Sequence, residues 1–306
     1  MSWRLLDAAE AAVAALWPRR WARLTPYAFL LPAVLLVLIL AVGLVTLADA
    51  SLRPLDPATY RLSAHYGLGN YALVFERAVY WHIIWRSLLA AVVVTAAALV
   101  LGFPYAYVMV RTPSAALRKL LLVSLFLPFF IGQVVRAYGW LIILGQKGLL
   151  NAVLLWLGLE PARLIYTYPA VLIGLVQFML PFAVLMLAPA ITAIGEEVEL
   201  ASQSLGAGWL ATFRHVVLPM ARPGLVGAAV VVFTLTLTDF AIPMILGGGK
   251  NDFAANAIYD AFFRVSDAGL GSALSIVLVV IGTGAVAAVF AVVGAGTLSF
   301  TARAER

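Results

Sequence analysis

Six long apolar stretches constrain this chain more than any other feature of its sequence. Each has roughly the 20 apolar residues that a helix needs to cross the hydrocarbon core of a bilayer. Backbone N–H and C=O groups find no water there, so each stretch must pair them internally as an α-helix. We therefore expect an all-α integral membrane protein with six transmembrane helices. The stretches cover about residues 27–47, 88–110, 120–144, 168–194, 225–245 and 270–298.

The composition fits a protein whose solvent is lipid. Of the 306 residues, 64% are hydrophobic and 11% are charged, whereas an average soluble domain has about 25% charged residues. The chain has no cysteine, which excludes disulfides, iron–sulfur clusters and thiolate zinc sites. The net charge of +6 does not indicate nucleic-acid binding, because basic residues collect at the cytoplasmic ends of membrane helices.

The distribution of basic residues predicts the orientation of the spans. Six crossings place both termini on one side of the membrane. That side would carry eleven Lys and Arg residues close to helix ends, and the other side would carry seven, spread over longer loops. The positive-inside rule therefore places both termini in the cytoplasm.

Residues 1–24 precede the first span and have a different character. Their apolar side chains fall on one helical face, and Trp17, Arg19, Arg20 and Trp21 follow. This pattern is typical of an amphipathic segment at the cytoplasmic membrane surface, with a disordered tail as the alternative. Residues 25–306 are then expected to form a single transmembrane domain.

The cytoplasmic connection between the fourth and fifth spans, residues 195–223, has a distinct pattern. Glutamates crowd the start of a short predicted helix, where the helix dipole favours negative charge. Val198, Ala201 and Leu205 follow at helical spacing and form an apolar stripe.

A bend and a second short helix follow this stripe. Gly206 and Gly208 suit a left-handed turn that ends the first helix. Residues 209–217 form the second helix, which we expect Pro219 to stop. From these residues alone, the segment is either a docking element for another protein or a simple connector.

This segment resembles the EAA loop in the permease subunits of binding-protein-dependent ABC importers. In that loop Glu-Ala-Ala, then Gly, then Leu-Pro recur at fixed spacing. The chain departs from the pattern at Leu200, where the motif has glutamate, and at Ser202, where it has the second alanine. Glu199 lies one residue early. The positions that match are Ala201, Gly206, Ala207, Phe213, Leu218 and Pro219.

The resemblance implies that this loop contains the coupling helix, which fits a cleft of the ATPase subunit. Glu199 would then either make the ionic contact of the family or cap its own helix. Further segments between residues 65 and 298 look like the spermidine/putrescine-type branch of these type I importers. They are Asn70-Tyr71 and residues 102–107, 135–140, 148–151 and 239–248.

Membership of that branch implies the following partners and location. The subunit would lie in the bacterial inner membrane and pair with a second permease, two ATPase subunits and a periplasmic binding protein. It would be no enzyme and would bind no cofactor, since ATP and magnesium belong to the ATPase subunits. The solute would be a polyamine or a related small organic cation, with an amino-acid-like or other small organic solute as the alternative.

Asp239 is the clearest candidate for the solute path. It lies within the fifth predicted span, where a charge is costly unless it faces a cavity or a partner helix. It either lines the path and attracts a cationic group, or holds its helix through Thr236, Thr238 or Arg136.

The third and fourth spans supply the other candidates for the path. Pro128 and Gly132 should kink the third helix. Arg136 follows this kink and either snorkels to the outer headgroups or takes part in gating or contact with the binding protein. The remaining candidates are Gln133, Tyr138, Trp140 and, in the fourth span, Gln177.

Other function classes find little support in the sequence. The pair Gly249-Lys250 lacks the spacing and the following Ser or Thr of a phosphate-binding loop, and the three histidines are scattered. A secondary transporter should show several intramembrane ionisable groups and paired broken helices. A membrane-embedded enzyme should show a convergent catalytic set. The sequence indicates neither.

Overall fold

A computed structural model describes residues 25–301, with side chains described at Tyr27 and from Phe29 to Ala291. The predicted amphipathic segment of residues 1–24 lies outside the described residues. The chain divides into two units between Ala50 and Ser51. Helix α1 (Thr25–Ser51), which belongs to the first unit up to Ala50, is apolar and exposes its side chains from Phe29 to Thr46, as expected of a helix surrounded by lipid.

The second unit is helical apart from one short hairpin. Strand β1 (Leu55–Asp56) pairs antiparallel with β2 (Arg61–Leu62). Hydrogen bonds from the Ala58 N–H and the Thr59 hydroxyl lower the pKa of Asp56 in the hairpin turn. The helices are α2 (Gly69–Glu76), α3 (Ala78–Arg111), α4 (Ala115–Phe126), α5 (Gln133–Ile143), α6 (Leu149–Trp156), α7 (Tyr168–Thr192), α8 (Glu196–Ser204), α9 (Trp209–Met220), α10 (Arg222–Leu237), α11 (Ala241–Gly247), α12 (Ala254–Tyr259) and α13 (Ala268–Thr301).

Helices α3, α7 and α10 pack against one another and form the core of this unit. Small residues bring their backbones close together. A Cβ atom added at Gly224 of α10 would overlap the Ala190 Cβ of α7, and one at Gly102 of α3 would lie 3.3 Å from the Ala183 Cβ of α7. Such small-residue contacts drive helix association in membranes, where lipid tails are as apolar as leucine.

The predicted helical fold is confirmed apart from the short hairpin, and several of its helices are apolar enough to cross a membrane. Within residues 25–301, four helices are long and apolar enough to cross a bilayer, and the number reaches six if each of two bent helix pairs is one span. The second span begins at Ala78, ten residues before the predicted start at Leu88. A short apolar helix, α6, lies in the loop after the third span.

The third span is broken rather than kinked. A 3-10 turn (Leu127–Phe130) ends α4, Gly132 precedes α5, and the two arms meet at an angle of 103°. Pro128 lacks the N–H that a continuous helix would use at that point. The sequence therefore predicted the position of the interruption correctly but underestimated the change in helix direction.

Pro219 does not stop the second short helix, contrary to the expectation. Helix α9 passes through a π-helical turn (Phe213–Val217) and continues to Met220. The Leu218 N–H donates to the Phe213 carbonyl five residues earlier, and such a wide turn accommodates proline within a helix. The direction changes instead at Ala221, where α9 and α10 meet at 68°.

Candidate functional site

The segment between α7 and α10 forms two short helices joined at a glycine bend. Its three glutamates lie in the first turn of α8, as predicted. Gly206 has a φ of +89°, which confirms the left-handed turn after α8. Gly208 has a φ of −70° and precedes α9, so only one of the two predicted glycines adopts the left-handed conformation.

Hydrogen bonds hold the two arms of this bend together. The Ser202 and Thr212 hydroxyl oxygens lie 3.0 Å apart, so the departure from the motif at position 202 supplies a contact. The Ala207 N–H donates to the Ser202 carbonyl. Ala201 and Gly206 are exposed, whereas Leu218 and Pro219 are half-buried at the far end of α9.

The segment of α8 and the residue after it expose apolar side chains and bury one charged side chain. Glu199 is 7% exposed, while its neighbour Leu200 is 60% exposed and Leu205 is 90% exposed. The predicted apolar stripe of Val198, Ala201 and Leu205 therefore faces away from the rest of the chain. Because exposed apolar surface is unfavourable in water, this face of α8 indicates a contact with another molecule.

Two residues at the end of α3 hold the Glu199 carboxylate. Arg111 Nε donates to Oε1 over 2.8 Å, and the Tyr107 hydroxyl donates to Oε2 over 2.6 Å. Arg111 Nη2 lies 2.7 Å from the same Oε1 and also donates to the Ile194 carbonyl over 2.7 Å. Sequence reasoning counted Arg111 only as a cytoplasmic charge. The position of Arg111 at the end of a span, directly before Thr112 and Pro113, was the sequence feature that could have identified it as a structural residue.

Aromatic side chains join α9 to the same part of α3. Phe213 packs edge-on against Phe103, with ring centroids 5.3 Å apart, and against Tyr107 at 5.9 Å. Trp209 stacks on Phe213 at 5.5 Å. Phe213, which the motif selected as a coupling residue, is therefore the packing centre between α9 and α3.

Asp239 lies at the break between α10 and α11. It is 7% exposed, and its Oδ1 accepts a hydrogen bond from the Ile242 N–H over 2.9 Å, which caps α11. Its Oδ2 accepts from Gln133 Nε2 over 2.6 Å. Within the described residues, the Asp239 carboxylate is therefore held by the Gln133 side chain and by backbone N–H groups at the start of α11, and no bond to the Thr236, Thr238 or Arg136 side chains accompanies them.

This hydrogen bond connects two broken spans. Gln133 is the first residue of α5, directly after the 103° break in the third span. Asp239 occupies the break in the fifth. Helices α5 and α11 pack against each other, so the chain places two interrupted helices side by side, with a buried carboxylate between them.

The other path candidates surround α5. The Arg136 guanidinium lies 4.6 Å from the centre of the Phe178 ring of α7, a cation–π contact. Trp140 Nε1 donates to Gln177 Oε1 over 3.2 Å, which joins α5 to α7. Tyr138, by contrast, is exposed. Among the contacts described, the structure thus pairs Gln133 with Asp239 and Trp140 with Gln177, whereas Arg136 contacts Phe178 and Tyr138 belongs to neither pair.

A cavity of about 280 Å³ opens beside α11 and α12. Its lining includes two aromatic rings, Phe240 and Tyr259, with centroids 4.8 Å apart. It also includes Asp252 and Asp260. Burial raises the pKa of Asp252, the Asp260 carboxylate raises it further, and Arg264 acts in the opposite direction.

Metal binding finds no support in this arrangement. Across the part of the chain that the structure describes, no three His, Cys, Asp or Glu side chains come together in a way that could hold a metal ion.

The sequence of this chain is similar to those of known transport proteins. Residues 98–300 match the family described as "Binding-protein-dependent transport system inner membrane component". The spermidine/putrescine transport system permease protein PotB of Escherichia coli (strain K12) is 35% identical over 218 residues, which cover 71% of this chain and 78% of that protein. The inner membrane ABC transporter permease protein YdcU of the same strain is 32% identical over 252 residues, covering 78% of this chain and 80% of that protein.

A solved structure shares the fold. A chain in the crystal structure of a bacterial alginate ABC transporter, in complex with an alginate pentasaccharide-bound periplasmic protein, superposes with a TM-score of 0.71. The match covers 90% of this chain and 95% of that chain at 20% identity.

Proposed function

This chain belongs to the family of binding-protein-dependent transport system inner membrane components, and on that premise we propose that it forms half of the solute path of an ATP-driven importer. Residues 195–220 would dock on an ATPase subunit and transmit its movement to the membrane helices. ATP and magnesium would bind to the ATPase subunits, so this chain would supply no catalytic residue.

The observation that carries this proposal is the exposed apolar face of α8 and the bend after it. Its apolar side chains face outward while its buried charge, Glu199, faces α3. A short connecting helix is expected to expose an apolar face in the isolated chain where another protein covers that face in the complex. Leu200, Leu205, Trp209 and Leu210 form this exposed surface, which we call the docking face. A cleft that receives it would need apolar side chains opposite Leu200, the position at which the motif has glutamate.

The remaining assembly follows from the same premise. We propose six crossings with both termini in the cytoplasm, residues 1–24 as a surface segment and residues 25–306 as one transmembrane domain. The charge distribution and the two bent helix pairs support this topology. The partners would be a second permease, two ATPase subunits and a periplasmic binding protein.

A polyamine or related organic cation is the proposed solute. PotB is a spermidine/putrescine permease by name, and the cavity beside α11 has the chemistry that such a solute needs. Aromatic faces and carboxylates both attract an alkylammonium group, and Phe240, Tyr259 and Asp252 provide them. The Asp260 carboxylate in the same lining is paired with Arg264 over 3.1 Å. Asp239 and the residues around α5 would line the deeper part of the path.

A secondary transporter is the alternative that one observation favours. The break in the third span lies beside the break between α10 and α11, and paired broken helices are typical of that class. The family of this chain instead contains inner-membrane components of binding-protein-dependent systems, which supports the ATP-driven importer.

Co-purification in mild detergent tests the proposal. We expect the chain to retain an ATPase subunit, and Leu205→Asp to lose it, because a charge on the docking face would be buried without a partner. Leu157→Asp is the matched control, since Leu157 is an exposed leucine after α6, outside the docking face. Retention of the ATPase by Leu205→Asp, or its absence from the wild type, would contradict the proposal.

A further inference from the structure

Arg111 makes contacts with two different parts of the chain beyond its own helix. It ends α3, and its guanidinium pairs with Glu199 of α8. The same Nη2 donates to the Ile194 carbonyl over 2.7 Å and to the Ile191 carbonyl over 3.4 Å, at the end of α7. A cation at that position also offsets the negative end of the α7 dipole. Arg111 therefore links its own helix, α3, to α7 and α8.

Both oxygens of the Glu199 carboxylate are engaged within the chain. Arg111 occupies Oε1 and the Tyr107 hydroxyl occupies Oε2. The side chains of Arg111 and Glu199 are 14% and 9% exposed. A buried ion pair that makes two hydrogen bonds keeps its geometry better than an exposed pair, because water and salt weaken exposed pairs. The charge that α8 turns inward is therefore fixed to α3.

We propose that Arg111 is a positioning residue that couples the docking segment to α3 and α7 together, so that a displacement of α8 moves both membrane helices. The inference rests on the proposed function, because it needs an ATPase subunit that displaces α8. It also assigns Glu199 an internal role, so the docking face would meet the ATPase without an ionic contact from this residue.

Packing between α9 and α3 attaches the segment between α7 and α10 to α3 at a second place. Phe213 contacts Phe103 and Tyr107, and Tyr107 is also the donor to Glu199. A movement of either arm of the bend therefore reaches α3. The Arg111 guanidinium adds the polar link from α8 to the last carbonyls of α7.

The number of solutes moved per ATP hydrolysed separates coupling from folding. The complete importer would be reconstituted in vesicles with its binding protein, and radiolabelled spermidine uptake and phosphate release would be measured on the same samples. We expect Arg111→Met to assemble and to hydrolyse ATP while uptake per ATP falls about tenfold, within the range seen for mutations in coupling networks. Arg118→Met is the matched control, because Arg118 is exposed and donates only to the Thr112 carbonyl among the contacts described.

Arg111→Lys provides a second variant that keeps the charge. Lysine lacks the planar fork of arginine and is not expected to hold Glu199 and the α7 carbonyls at once. Uptake per ATP should therefore fall between wild type and Arg111→Met. A ratio equal to the wild type in Arg111→Met would overturn the inference.

Two other outcomes are distinguishable from that result. Failure of both Arg111 variants to assemble, with Arg118→Met intact, would also count against the inference, because the contacts would then serve folding alone. Absence of ATP hydrolysis from the purified wild-type complex would instead remove the proposed function itself, whatever the Arg111 variants do.

Discussion

Replacing Asp239 by asparagine separates the charge of this side chain from its hydrogen bonds. The side-chain oxygen of the new asparagine would still accept from the Ile242 N–H, and its amide nitrogen could donate to Gln133 once the Gln133 amide rotates by half a turn. The cap of α11 and the bond to α5 would both persist. What disappears is the negative charge between the two helix breaks.

The structure gives different expected costs for asparagine and alanine. Hydrogen bonds to charged groups exceed neutral ones by about 1 kcal/mol, which is the destabilisation expected of Asp239→Asn. Asp239→Ala loses the helix cap, about 0.5–2 kcal/mol, and an interhelical bond, about 0.6–1.7 kcal/mol. The sum is about 1–4 kcal/mol, so alanine should lower the thermal stability of the chain in detergent more than asparagine does.

Uptake measured at equal membrane abundance then tests the role of the charge. If Asp239 attracts a cationic solute, Asp239→Asn reduces uptake strongly although the protein remains as stable as expected. If Asp239 only caps α11 and joins it to α5, Asp239→Asn transports almost normally and Asp239→Ala does not. Near-normal uptake by Asp239→Asn would therefore refute a role for this charge in the path, and equal destabilisation by both variants would refute the hydrogen-bond reasoning.

Three further substitutions test the helix packing, the bend and the outer cavity. Gly224→Val should destabilise the chain by about 1–3 kcal/mol, because its side chain would meet the Ala190 Cβ. A Cβ at Gly227 on the same helix would meet no atom within 4 Å, so Gly227→Val should be tolerated. Thermal unfolding in detergent compares the two variants. Gly206→Pro should abolish uptake while the protein still inserts, because the φ of +89° at this position is incompatible with proline. Because the pKa of Asp252 is raised, its carboxylate loses its charge at a higher pH than an ordinary aspartate does when the external medium is acidified. Uptake of an organic cation should therefore fall as the pH drops through the raised pKa of Asp252. Asp252→Asn should lower uptake and remove this pH dependence.

The helical membrane fold was predictable because it depends on local properties. Run length and hydropathy are enough to find the spans, and the three acidic residues with Gly206 correctly predicted α8 and its bend. The degree of the break at Pro128 was not predictable, because it depends on how α5 packs against α7 and α11. The continuation of α9 through Pro219 depends on a π-helical turn, which has no simple sequence pattern.

The candidate site was predictable in its residue types but not in its pairings. Glu199 and Asp239 stood out as acids in unusual positions. Their partners, Arg111 and Gln133, lie 88 and 106 residues away in the chain, and only the packing of the helices brings them together. The periodicity of α8 correctly located its apolar stripe, yet sequence alone did not show that this stripe faces outward and that Glu199 faces inward.

Two buried polar contacts in the described part of the chain, those of Asp239 and Arg111, lie where helices end or break, and this position has a physical reason. In lipid, apolar side chains gain little by choosing one helix neighbour over another, whereas backbone groups freed at a break must find partners. Asp239 binds the freed Ile242 N–H, and Arg111 binds the terminal carbonyls of α7. These side chains therefore specify which helix ends meet, and a transporter that changes shape must move such junctions or preserve them as units. The proposed role of Arg111 requires that its junction at the cytoplasmic end is preserved as a unit. The Asp239 variants test whether the junction between the two helix breaks is preserved or moves.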